Sequence, residues 1–365
     1  MIDEAGHDAG RGVGSRPVAS SKRARVTALD AARVLATWGI VWVHTAEIQG
    51  QPAALNTLGR FGTSFYILAA VFFVARSHMR HPEARSRDIL KRRAGRLLRP
   101  YLLWCAVYAA FYFTTMRPQG HPVSVIVRYW GPLFGTAPHL WFLPFAFFAG
   151  VIASLTVPRL SKLPGWLLVG GGLLVTAAAY LAVYATIYPA LDKPWITQMR
   201  IHRLARWVEE APLIVGACVG CAIYAKYLER ISRWGRKKRM RVALFSLLGF
   251  LLTQFCYAWF LEELGQAFLN RARIMANLAG AFWLVTMVSA RRGPWLNWLA
   301  PLGQATYFAY LSHQLILDAS KGWLAHLPGH GTLIFAFAST NGIFALSVGF
   351  GWLVARSRRL RWLSP

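Results

Sequence analysis

Ten apolar blocks, each about 17–24 residues long and parted by short polar or basic connections, constrain this chain more than any other feature, because a helix of that length spans a bilayer. They fall at approximately 29–48, 57–76, 100–116, 139–157, 166–188, 210–228, 242–261, 274–290, 302–320 and 333–355. In lipid only helices or closed barrels satisfy their own backbone. A barrel would show alternating segments of about ten residues, and the sequence has none. Of the 365 residues 56% are hydrophobic, and they are gathered into these blocks rather than dispersed. The expected fold class is all-α: a polytopic transmembrane helix bundle of about ten spans, with no soluble domain.

The formal net charge of +27 at first suits a nucleic-acid binder. Its distribution does not. Basic residues collect between the apolar blocks, at 76–99 and at 229–241, as cytoplasmic loops facing anionic headgroups do. The expected partners are therefore membrane lipids and not nucleic acid. With the amino terminus inside, the inward segments 1–28, 77–99, 158–165, 229–241, 291–301 and 356–365 hold most of the Lys and Arg. The outward loops are poorer in both, apart from 189–209. The reading is a multi-pass protein of the inner or plasma membrane with both termini cytoplasmic. Residues 1–28 form a flexible tail, 29–355 the transmembrane domain and 356–365 a basic tail.

The basic stretch before the first block also suits a signal peptide. The block is longer than a signal core and contains Arg33, and no small-residue cleavage site follows, so an uncleaved first span is expected. Cys105, Cys218, Cys221 and Cys256 all fall within predicted spans. The C-x-x-C at Cys218 and Cys221 sits in an apolar helix, where buried thiols are the expected state rather than redox or metal chemistry.

Within the first block, LDAARVLATWGIVWVHT, stand Arg33 and His44. Ionisable groups inside a span are costly and mark functional sites by default. Eleven helical steps of about 100° return to nearly the same bearing, so the two lie on one face with roughly 16 Å of rise between them. Thr37 shares that stripe, and Asp30 and Glu47 flank its ends. Such a stripe belongs against other helices. The orientation puts Arg33 near the cytoplasmic end and His44 toward the outer face. Histidine titrates near neutrality and, as a general base, takes a proton from a hydroxyl, contributing about 10²–10⁴-fold to a rate. An interhelical hydrogen bond is the plainer alternative.

These residues resemble a known family. Leu-Asp followed by Arg33-x10-His44 is similar to the first span of the membrane-bound acyltransferase family 3. Arg93-Ala-Gly-Arg96-Leu-Leu-Arg99-Pro100-Tyr101 resembles the family's Arg-x-x-Arg-Leu-x-Pro-Pro-Tyr run, with Arg99 in place of the first proline. His139-Leu-Trp-Phe-Leu-Pro144 is similar to its Trp-Phe-Leu element. Gly303-x-x-Thr306-Tyr-x-x-Tyr310-Leu-x-His313 resembles its late Gly-x-x-Ser/Thr-Tyr…Tyr-Leu-x-His segment. The four elements stand in family order over roughly 25–320.

The resemblance implies an integral membrane O-acyltransferase. It would take an acyl group, acetyl being the expected one, from cytosolic acyl-coenzyme A to a glycan, lipid or metabolite hydroxyl. Arg33 and His44 match residues regarded as essential in the family. Arg92, Arg93 and Arg96 have two readings, binding coenzyme A phosphates or anchoring a loop to anionic lipid. His313 lines the acceptor channel, assists His44, or is a satisfied core histidine. Glu47, one turn from His44, fixes the imidazole tautomer or is an interfacial carboxylate. His139, Trp141 and Tyr310 are candidate acceptor contacts, against an interfacial anchor as the bland reading of Trp141. A transient acyl-histidine is a variant of the same chemistry. His202, Glu209 and Glu210 lack a metal-ligand spacing, so no metal and no permanently bound cofactor is assigned. A transporter or exporter of a lipid-linked sugar or small anion is the rival reading.

Overall fold

Alanine and leucine favour helix in the first block. A computed structural model, which describes residues 27–81, 83, 85–116, 118, 133, 135–187, 202–264, 273–290, 294–357 and 360, has a helix there, α1 (Thr27–Ile48). It is followed by α2 (Ala53–Arg80), α3 (Ser86–Met116) and α4 (Phe142–Leu160). Next comes α5 (Gly172–Leu181), which π-helical turns at Leu167–Gly171 and Ala182–Ile187 extend at both ends. Then come α6 (His202–Lys226), the short α7 (Leu228–Ser232), α8 (Arg236–Leu264), α9 (Arg273–Ala290), α10 (Pro294–Ala325) and α11 (Leu333–Arg356). No strand occurs among the described residues. The all-α bundle is as expected, and each apolar block has its helix. The loops around 119–132, 188–201 and 265–272, expected to face outward, and the segments 1–26 and 361–365 lie outside the described residues.

Seven helical runs among the described residues are long and apolar enough to cross a membrane. Besides the short α7, the runs that fall short are α1, α3 and α10. Their polar residues explain both the shortfall and their position: α1 is enclosed by α2, α9, α10 and α11, and its most extensive contact is with α10. Thr37, on the polar side of α1, and Thr45 are fully buried. The exterior is the reverse. Trp166, Leu173, Leu174 and Leu181 around α5, and Phe245, Leu252 and Phe255 on α8, are exposed apolar side chains, as lipid-facing positions require.

The basic run 91–99 is not a loop. α3 begins at Ser86 and continues through Pro100, although proline deprives the carbonyl four residues earlier of its partner. That carbonyl belongs to Arg96, and the Tyr307 hydroxyl of α10 donates to it at 3.3 Å. The arginines therefore project from a helix whose proline is accommodated by a neighbour. α10 likewise passes through Pro301. It meets α1 closely at Gly303, where a Cβ would collide with the Asp30 backbone carbonyl. Small residues permit such approach between membrane helices.

Candidate active site

The polar stripe of α1 begins with an ion pair one turn long. Arg33 Nη1 donates to Asp30 Oδ1 at 3.1 Å, as their spacing predicts, and the guanidinium carbon lies 5.2 Å from the Phe73 ring centre. Tyr66 of α2 reaches the same turn. Its hydroxyl donates to the Arg33 carbonyl at 3.3 Å and lies 2.5 Å from Thr37 Oγ1, so the threonine hydroxyl donates the shorter bond. Further along α1, the imidazole of His44 meets that of His313 of α10, with ring centres 5.4 Å apart.

His139, in the turn that leads into α4, completes a group of three imidazoles. Its ring centre lies 5.1 Å from that of His313 and 5.5 Å from that of Tyr310. The Tyr310 hydroxyl donates to the His139 carbonyl, fastening the turn to α10. Both His139 and His313 are buried, His313 completely. His313 Nδ1 lies 2.7 Å from the Tyr310 carbonyl. A carbonyl only accepts, so Nδ1 carries the proton and Nε2 the lone pair in the neutral ring. That Nε2 makes no hydrogen bond within the described protein. Among the described residues no group of histidines, cysteines or carboxylates has a metal-binding arrangement.

A second set of cations lies past Arg33 along α2. Arg93 of α3 rests on Gly150 of α4. One turn further along α4, Ser154 Oγ bonds His78 Nε2 of α2 at 2.8 Å. Burial, with Arg96 close by, pushes the Arg93 guanidinium down to about 10. Its Nε is buried without a hydrogen-bond partner, and no carboxylate among the described residues pairs with it. A half-buried cation in that condition favours an anion.

A family model described as an acyltransferase domain matches residues 26–356, nearly the whole chain. The chain belongs to acyltransferase family 3. Comparison with curated proteins and with solved structures gave no match.

This family 3 acyltransferase draws together some of the residues that its sequence singles out. His44, His139, Tyr310 and His313 form one cluster, and Arg33 stands on the helix that carries His44. Arg92 and Arg96 are exposed. Glu47 is exposed near the end of α1. Trp141 is buried, but it packs edge-on against Phe142 and Phe145. Two of the acyltransferase's polar tyrosines went unnoticed in the sequence, Tyr66 and Tyr108. A phenol in an apolar span needs a hydrogen-bond partner, and that need is the signal that would have found them. Asp318 is held by Tyr112 and Gln314 at 3.0 Å each. Glu209 and Glu210, read as flanking an outer loop, both pair with Arg273, at 2.9 and 2.6 Å.

Proposed function

We propose that this acyltransferase moves an acyl group, acetyl for preference, from acyl-coenzyme A to a hydroxyl of a glycan, lipid or secreted metabolite at the cell membrane. The observation that carries the reading is the meeting of His44 with His313 and His139, on the helix that also bears Arg33. In this mechanism the anionic donor binds at the cytoplasmic end, with Arg93 and Arg96 on its phosphates and Arg92 at the exposed rim. The thioester reaches toward the histidines past Arg33, whose charge joins Arg93 and Arg96 in holding the anionic donor.

His44 takes the proton of the acceptor hydroxyl as the oxygen attacks the thioester carbon. The tetrahedral intermediate then collapses, the carbon–sulfur bond breaks, and the imidazolium returns its proton to the departing thiolate. His313 assists with its lone pair at Nε2, and Tyr310, His139 and Trp141 form the acceptor side. No metal enters this scheme. A dry helix bundle strengthens each of these electrostatic contributions.

The test is label transfer from radiolabelled acetyl-coenzyme A into lipid, glycan and small-molecule extracts of membranes carrying wild type, His44→Ala or Arg33→Ala at matched expression. Label that appears with wild type and is lost with His44→Ala supports the reading and reveals the acceptor fraction. Equal label from wild type and His44→Ala removes His44 from the chemistry.

A further inference from the structure

Tyr108 of α3 is completely buried, and the scheme above gives it no role. Its hydroxyl donates to the Leu311 carbonyl at 2.9 Å and accepts from the Leu315 amide at 3.0 Å. In an uninterrupted α-helix those two backbone groups bond each other. The phenol therefore engages both ends of one rung of the α10 hydrogen-bond ladder, in the turn centred on His313. A side chain inserted in this way opens a turn and redirects the helix. The same phenol ring packs edge-on against His139, with centres 5.3 Å apart.

Tyr112, one turn along α3, supplies an internal comparison. It also ties α3 to α10, by donating to Asp318 Oδ2 at 3.0 Å. That partner is a side chain rather than the backbone of the helix. If α3 merely docked on α10, the two tyrosines would be equivalent. Tyr108 bonds the backbone that presents His313.

At His313 the effect is chemical. The ring turns back on its own helix, and Nδ1 is committed to the Tyr310 carbonyl at 2.7 Å. This leaves Nε2 as the unprotonated nitrogen, in a ring that lies against His44 and His139. The direction of that lone pair depends on the shape of the Leu311–Leu315 turn.

We propose that Tyr108 is a positioning residue, which holds the Leu311–Leu315 turn of α10 open and thereby fixes His313 as the Nδ1–H tautomer with its Nε2 lone pair turned to the reacting group. The identity of the reaction rests on the acyl-transfer reading above; the tautomer does not.

Tyr108→Phe keeps the ring and its burial. The released amide and carbonyl are free to bond each other, so the variant leaves no orphaned backbone group and folds. The full chain is compared in lipid nanodiscs as wild type, Tyr108→Phe and Tyr112→Phe. Nitrogen-15 NMR of labelled histidine reads the tautomer of His313, assigned with His313→Gln, and steady-state kinetics use acetyl-coenzyme A. The expected result is an Nδ1–H tautomer in wild type and Tyr112→Phe, and its loss in Tyr108→Phe. In Tyr108→Phe kcat falls about 100-fold, as a small misplacement of reacting groups costs, while the KM for the donor is unchanged and Tyr112→Phe stays near wild type. An unaltered tautomer, an unaltered kcat, or equal losses in both tyrosine variants overturns the proposal. If wild type itself transfers nothing from acetyl-coenzyme A, the acetyl donor of the reading above fails, and the tautomer comparison still decides the role of Tyr108.

Discussion

Arg93 lies where a side chain on Gly150 would have to be: a Cβ on that glycine would stand 2.7 Å from Arg93 Nε and 3.1 Å from its Cδ. The absence of a side chain on α4 is thus what lets a cation from α3 settle into the bundle.

Gly150→Ala should displace the guanidinium without touching the histidines. Hydrogen bonds to charged groups contribute about 1.5–3 kcal/mol, so losing one or two from the donor phosphates should raise the KM for acetyl-coenzyme A by about 10–100-fold with kcat little altered. Arg93→Lys retains the charge but not the planar fork, and should fall between wild type and Gly150→Ala. Steady-state kinetics in nanodiscs would check this, and an unchanged KM in both variants would detach Arg93 from the donor.

At Gly303 the neighbour is backbone. A Cβ would collide with the Asp30 carbonyl and sit 2.9 Å from its Cα, and neither atom has anywhere to rotate. Gly303→Ala should push α10 off α1 at a cost of about 1–3 kcal/mol, the usual range for overpacking. It should also widen the separation of His44 and His313, which ride on those two helices. Thermal unfolding in detergent should show a lowered midpoint, and activity should fall further than the unfolded fraction explains.

How much of this was legible in the sequence differs from residue to residue. The stripe from Asp30 to His44 could be read because helical periodicity alone puts those residues on one face. His139 and His313 came forward through motifs that resemble a family, and their meeting with His44 is a matter of tertiary packing. Tyr108 showed only the need of a phenol in an apolar span for a partner; which partner was illegible, since backbone groups of another helix are the same at every position. The start of the third helix was misplaced at Pro100 for a related reason: the Tyr307 hydroxyl that satisfies Arg96 lies 211 positions away. Charge counting placed Glu209 and Glu210 beside a loop, and only the fold brings Arg273 to them.

That pairing yields a prediction about stability. The side chains of Arg273, Glu209 and Glu210 are 21%, 11% and 4% exposed, so the arginine stands between two largely desolvated carboxylates. Removing one partner of a buried ionic group costs about 3–5 kcal/mol, because the remaining charge is left without compensation. Arg273→Ala should therefore lower the unfolding midpoint more than Glu209→Gln, which leaves the shorter bond to Glu210 in place. Calorimetry or dye-monitored melting in detergent would rank the two, and equal losses would contradict the geometry.

Tyr66 and Thr37 offer the sharpest measurement of how α2 holds the arginine turn. The Tyr66 hydroxyl receives the threonine proton at 2.5 Å and passes its own to the Arg33 carbonyl at 3.3 Å, so the two side chains act as one unit. Tyr66→Phe should cost only about 1 kcal/mol, the net value of an ordinary hydrogen bond. Thr37 then has an alternative partner in the Arg33 carbonyl four residues back on its own helix, a bond that threonine commonly makes. Thr37→Val removes that alternative while leaving the volume nearly constant. If the chain of bonds is real, the double variant should be about 0.5–1 kcal/mol less unstable than the sum of the single ones, the signature of residues sharing one network. Strict additivity in the cycle, measured by thermal unfolding in the same detergent, would mean that α2 holds Arg33 by packing alone.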